Sequence, residues 1–257
     1  MSGHSLYTLG LLSLVLTFSA SASAHDGDVD AVRSIDELYF HRDVAGNLDK
    51  SIVETSANVE RVEKFKEAEH DGLPLFLWLR CRSLVGRGDK REKKSEKLAD
   101  YDSARQDCEK SVKLNPNAAD AHFWFGISMG RWGEAKGMMK AMFLIKPIRK
   151  EMAETLRLDP KQGGAHRVLG EMLWQIPGFA GGDKKQALVE YEAAVKMSPD
   201  HSTNYQPLAE AYVYFDRKDD AIKTLKAVAE IKNPADPSDY PGDLADSKKL
   251  LEKLTKK

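Results

Sequence analysis

Seven histidines and two cysteines are the side chains here with the most obvious chemistry. A zinc site on a helix needs a second His or Cys three or four positions away. Neither His122 nor His166 has one. They stand in DAHFWFG and GAHRVLG, a full structural unit apart and in matching surroundings, and read as helix-packing residues. His25 would become the first residue if the chain were cut after Ala24, and a terminal amine with its own imidazole can chelate copper. Nothing in the sequence nominates the further nitrogen ligand. Nucleophilic catalysis finds no support either: there is no G-x-S-x-G, no Cys in a Cys–His setting and no carboxylate pair isolated in an apolar run. The expectation is a protein without catalytic residues, metal or cofactor.

The stretch LWQIPGFAGGDKKQALVEYEAAV, residues 173–195, raises a phosphate-loop question. A P-loop reads GxxxxGK[ST] and follows a strand. Here Asp183 follows Gly182, no hydroxyl stands behind the lysines, and the preceding residues are helical in pattern. An anion nest at a helix start would be opposed by Asp183. The segment therefore reads as an enlarged turn between two helices. Trp174 closes the first helix, glycines supply positive-φ positions, and Asp183 caps the second.

The chain that must position these residues has 257 of them, 42% apolar and 31% charged, enough for a sizeable core. A net charge of −1 gives no global electrostatic case for nucleic acid. Residues 6–20, LYTLGLLSLVLTFSA, form an uncharged apolar run too short to span a bilayer comfortably. Ala22 and Ala24 fit a small–x–small cleavage site. A signal peptide over residues 1–24 is expected, with the mature protein periplasmic or secreted and without stable membrane insertion.

After about residue 30 apolar residues recur at spacings of three and four, the pattern of helices. Three segments align on a proline: NPNAADAHFWFGISMGRWG, DPKQGGAHRVLGEMLW and SPDHSTNYQPLAEAYVYF. Each follows an amphipathic stretch ending SVKL, TLRL or AVKM. Each carries a small residue ten positions after the proline: Gly126, Gly170 and Ala209. The second helices match too, with Ala104, Ala187 and Ala221 at corresponding points. This pattern resembles the tetratricopeptide repeat (TPR), in which small residues on paired antiparallel helices allow close approach and a proline ends each unit. The proline spacings of 44 and 39 residues exceed the usual repeat of about 34, so the units carry insertions. Residues 29–115 match by helical rhythm. The expected fold is all-α, a TPR-like superhelical solenoid over residues 25–240. Residues 241–257 form a capping helix, acidic at its start and basic at its end.

In that alignment Cys81 takes the small interhelix position, and the residue opposite it falls near Ala104, one turn from Cys108. A disulfide sits at the margin of reach, since Cα atoms must come within about 7 Å. Two buried thiols are the plainer expectation.

Two wider stretches carry a more specific resemblance. They are LFLWLRCRS with EKKSEKLADYDSARQDCEKSVKLNP, and AHFWFGISMGRWGEAKGMMKAMFLIKPIRKEMAETLRLDP. Both are similar to the regulator of microtubule dynamics family, over roughly residues 74–232. The resemblance implies the repeat fold. The leader argues against carrying over the intracellular biology of eukaryotic members. The glycine-rich turn also resembles one in periplasmic TPR-like subunits of TRAP transporters.

A TPR solenoid binds through the concave face lined by first helices. Counting from each unit's small residue nominates Trp78 and Arg82; Phe123, Ile127 and Arg131; Arg167, Glu171 and Gln175; and Gln206, Glu210 and Tyr214. Arginines with aromatics suit a peptide or carboxylate-bearing partner. GMMKAMFLI, residues 137–145, holds three of the eight methionines within five residues. Core packing of an extra helical turn is expected there, with an oligomer contact as the alternative. The mixed-sign run RGDKREKKSEK reads as a solvated loop and helix start. The reading is a non-enzymatic scaffold for a protein or peptide partner. A solute-handling subunit of a TRAP-type transporter is the alternative, and an enzyme with a site assembled across units ranks last.

Overall fold

A computed structural model describes residues 26–65 and 72–256. The leader, its cleavage site and His25 lie outside the described residues. Every regular element described is helical, in the order α1 Asp26–Phe40, α2 Asn47–Phe65, α3 Gly72–Lys90, α4 Lys94–Leu114, α5 Ala119–Lys136, α6 Met138–Leu158, α7 Gly163–Gln175, α8 Lys184–Met197, α9 Tyr205–Tyr214, α10 Lys218–Val228 and α11 Tyr240–Thr255. Consecutive helices pair antiparallel. The layering shows at α3, which packs on α1 and α5 as well as on α2 and α4, whereas α4 and α6 pack on their sequence neighbours. First helices thus lie on the inner radius and second helices outside, the TPR-like solenoid expected from the repeats.

The core runs along the solenoid as successive clusters. Ile35, Val59 and Phe76 join α1, α2 and α3. Cys81, Val85, Ala104 and Cys108 join α3 to α4. Met129, Met152 and Ala165 join α5, α6 and α7. Ala187, Tyr191, Ala209 and Ala221 continue to the C-terminal helices. Side chains shared between clusters couple the units: Trp78 belongs to the first two, and Phe125 and Ile127 to the second and third.

The small residues do what the repeat requires. A Cβ on Gly170 would stand 2.7 Å from the Tyr191 ring and 3.3 Å from the carbonyl oxygen of Ala187. Ala104, Ala187, Ala209 and Ala221 are fully buried. In the α7–α8 turn Gly181 has φ +95°, the left-handed region. The Gly182 Cα lies so close to the Ile176 carbonyl that any side chain would collide with it. Asp183 accepts from the backbone N–H groups of Lys185 and Gln186, the cap expected of it.

Two expectations change. Cys81 and Cys108 form a disulfide, S–S 2.06 Å and Cα–Cα 5.7 Å, in place of two free thiols. α3 continues past Cys81 to Lys90, with Gly88 packed on the Tyr101 ring. That longer pairing moves the point opposite Cys81 one turn along α4, from Ala104 to Cys108. The second change concerns the methionine cluster. Met138, Met139, Met142 and Phe143 are 81%, 72%, 51% and 73% exposed, so they are not core. The buried stripe of α6 is instead Ile148, Glu151, Met152 and Thr155. The helix runs through Pro147.

The two ends of the solenoid are tied together. Arg42, between α1 and α2, donates to both carboxylate oxygens of Asp236 at 2.9 and 2.7 Å and pairs with Asp239 at 2.7 Å. Ser238 donates to the Phe40 carbonyl at 2.8 Å.

Candidate binding face

Two histidines occupy repeated positions on successive first helices. His122 Nδ1 lies 2.6 Å from Glu151 Oε2, and His166 Nδ1 lies 2.8 Å from Glu190 Oε2. In each case a first helix is pinned to its partner helix, as packing histidines would be. The carbonyl of Pro116, 3.0 Å from His122 Nε2, can only accept, so that nitrogen carries the hydrogen. The His166 bond holds the Glu190 carboxyl below its ordinary range, against the upward push of burial. Among the described residues no group of three His, Cys, Asp or Glu is placed to hold a metal ion.

The nominated residues divide into two sets. Trp78, Phe123 and Ile127 are half-buried and serve the packing between units: Trp78 and Ile127 bridge core clusters, and the Phe123 ring lies over Gly164 of the next unit. Arg82 is buried. It pairs with Asp36 at 2.6 Å and lies over the Tyr39 ring at 4.1 Å, locking α3 to α1. Burial in that contact pushes the Tyr39 phenol up to about 12, although Arg42 and Arg82 pull the other way. The Arg82 guanidinium therefore does not reach a partner, because α1 supplies its counter-charge.

The second set remains accessible. Arg131 is part-exposed and pairs with Asp89 at 3.3 Å and Glu134 at 3.4 Å. Arg167 and Glu171 form a pair one turn apart on α7 at 2.5 Å. Arg167 Nε is buried without a hydrogen-bond partner among the described residues. Gln206 donates to Glu210 at 2.8 Å on α9, with Glu210 exposed. Asp120, at the start of α5, reaches solvent but is crowded by protein on the inner side. That desolvation raises its carboxyl, Asp159 and Asp36 add to it, and Arg82 opposes it. The inner face is thus lined by charged groups in mutual balance, with α11 contributing Asp243, whose carboxyl burial also raises.

Gln175 and Tyr214 meet in a cleft of about 610 Å³ between the α7–α8 turn and the end of α9. Trp174 and Phe215 form its aromatic wall, the Trp174 and Tyr214 ring centres 5.1 Å apart edge to face. The Lys184 ammonium sits 4.0 Å from the Tyr214 ring centre and 4.8 Å from that of Trp174. Sequence reasoning nominated Gln175 and Tyr214 but missed Lys184 and Phe215. The available signal was the enlarged turn, which brings the first residue of α8 over the next unit's aromatics.

Antiparallel helix pairs with glycine or alanine at the crossing, stacked along an inner row of first helices, define a TPR-like repeat protein. The family model described as regulator of microtubule dynamics protein 1-3 matches residues 45–176, and the chain belongs to that family. Among solved structures, the TPR protein TTC0263 of Thermus thermophilus superposes with TM-score 0.59 at 17% identity. That match covers 88% of this chain and 98% of the other. MamA of Desulfovibrio magneticus aligns with TM-score 0.46 at 16% identity, over 82% of this chain and 97% of that one. No curated protein matches the sequence.

Proposed function

We propose that this chain is an exported, non-enzymatic scaffold that holds a protein or peptide partner on its concave face. The observation that carries the reading is the accessible row Arg131, Arg167, Glu171, Gln175, Gln206, Glu210 and Tyr214 on the first helices of successive units. The row ends in the aromatic cleft under Lys184. Rigid aromatics beside arginine are what interface hot spots are made of. Arg131, part-exposed on α5, can offer its guanidinium to a carboxylate on the partner. Export is supported by the apolar leader and by the Cys81–Cys108 bond, since structural disulfides persist in oxidising compartments. Neither the matched family nor the Thermus protein is described as a transporter subunit, so nothing adds to the transporter alternative.

The test is affinity capture from an envelope extract with the tagged protein, beside the double variant Arg131→Glu, Arg167→Glu and the single variant Tyr214→Ala. The partner recovered by the wild type is expected to fall about tenfold or more with the double variant, as loss of interfacial charge contacts implies. Equal recovery by all three forms would remove the concave face from consideration.

A further inference from the structure

The first half of α6 exposes a cluster of large apolar side chains. Met138, Met139, Met142 and Phe143 are all more exposed than buried, and Phe179 at the tip of the α7–α8 turn is 94% exposed. The helical repeat aligns Met138, Met142 and Arg149 in one stripe and Met139, Phe143, Lys146 and Lys150 in the next. Both stripes lie away from the buried one. The turn belongs to the same surface, because Arg149 Nη2 donates to the Gly181 carbonyl at 2.9 Å. Antiparallel pairing also puts the α5–α6 and α7–α8 turns on one edge of the solenoid.

Charge on this surface is mostly basic, with Asp183 in the turn and Glu134 just ahead of α6 as acidic neighbours. From Ala135 to Lys150 the sequence carries Lys136, Lys140, Lys146, Arg149 and Lys150 and no acidic residue. None of these five makes an ion pair among the described residues. Lys185 follows the turn on the neighbouring unit. A second copy seated face to face would set lysine against lysine. The exposed apolar side chains belong to one helix and the tip of one turn. Protruding methionines and phenylalanines inside a ring of basic residues match a layer that is apolar below and anionic above.

We infer that this edge docks on the surface of an anionic phospholipid bilayer. Met138, Met139, Met142, Phe143 and Phe179 enter the boundary between headgroups and acyl chains, and the lysines and Arg149 meet the phosphates. No helix described is long and apolar enough to cross a membrane, so the attachment is peripheral. The concave face is left free, and docking does not depend on the scaffold reading.

The test is sedimentation of the purified full-length protein with vesicles of phosphatidylcholine alone or with 30% (about one lipid in three) phosphatidylglycerol, a composition that sets an anionic surface potential. Binding is expected to the anionic vesicles, weakened by high salt. Lys140→Glu with Lys146→Glu should lower it at least about tenfold, since each basic residue near the surface contributes roughly a fivefold factor. Phe143→Ser with Phe179→Ser should lower it too, with the helical circular dichroism unchanged. The apolar leader can bind lipid by itself, so the site is read locally. Phe179→Cys carries a polarity-sensitive apolar fluorophore, and the disulfide leaves no other free thiol among the cysteines. A blue shift on anionic vesicles is expected. Sedimentation with an aqueous emission, equal binding to both vesicle types, or vesicle-independent self-association abolished by the patch variants would each overturn the proposal.

Discussion

Gly170 and Gly130 sit on first helices of neighbouring units, yet alanine should act on them in opposite directions. In a helix, alanine is favoured over glycine by about 1 kcal/mol. At Gly130 the new methyl would meet only the Ile148 Cδ1 at 3.8 Å, ordinary contact. Gly130→Ala is therefore expected to raise stability by up to about 1 kcal/mol. At Gly170 the methyl would press on the Tyr191 ring at 2.7 Å, and that ring is buried between α7 and the C-terminal helices. Overpacking of this kind costs about 1–3 kcal/mol, more than propensity returns. Gly170→Ala should thus lower the urea midpoint while Gly130→Ala raises it. Two shifts of the same sign would mean that the crossing at Gly170 is looser than described.

At the scale of elements, what could be read in the sequence was periodic and what could not was a matter of register. The small positions recur every unit because each helix pair repeats the same crossing, so Gly126, Gly170 and Ala209 aligned without coordinates. The capped turn at Asp183 was legible because its hydrogen bonds are local. Pairing of Cys81 with Cys108 depends on how far α3 extends beyond the crossing, which no repeat position encodes. Burial of Arg82 depends on Asp36 and Tyr39 of α1, where the repeat pattern is faint. The exposure of the methionines escaped because their spacing suits a core stripe as well as a surface one. The disulfide supplies the prediction at this scale. Closing a loop with sequence separation 27 removes unfolded-state entropy equivalent to about 3–4 kcal/mol. Cys81→Ala with Cys108→Ala should lower unfolding free energy by about that amount in oxidising buffer. The variant should be indifferent to dithiothreitol while the wild type is not. A wild type whose melting is unmoved by the reductant would contradict it.

A linear solenoid transmits little from one end to the other, because each unit touches only its neighbours. This molecule departs from that scheme through Arg42, which reaches across 194 residues of sequence to Asp236. The guanidinium is largely buried and holds two carboxylates, Asp236 and Asp239. Burial raises the Asp239 carboxyl, its neighbour Asp236 adds to the rise, and Arg42 opposes both. Removing the arginine leaves two close acids without a counter-charge, in a segment otherwise anchored by Ser238 to Phe40 and Asp43. Arg42→Ala is expected to cost about 1–3 kcal/mol, between the values for exposed and for broken buried pairs because Asp239 is half exposed. Its location distinguishes a tie from general weakening. Amide exchange should quicken in residues 40–46 and 231–243, while α5 to α8 in the middle of the solenoid keep their protection. Acid should not mimic the substitution: a carboxyl raised in the folded state binds its proton more tightly folded than unfolded, so the Asp239 titration favours the folded state as pH falls through its raised value. Exchange that quickens evenly along all the helices, or only at α1, would show that the two ends are held by their own units and that the ring is not closed through Arg42.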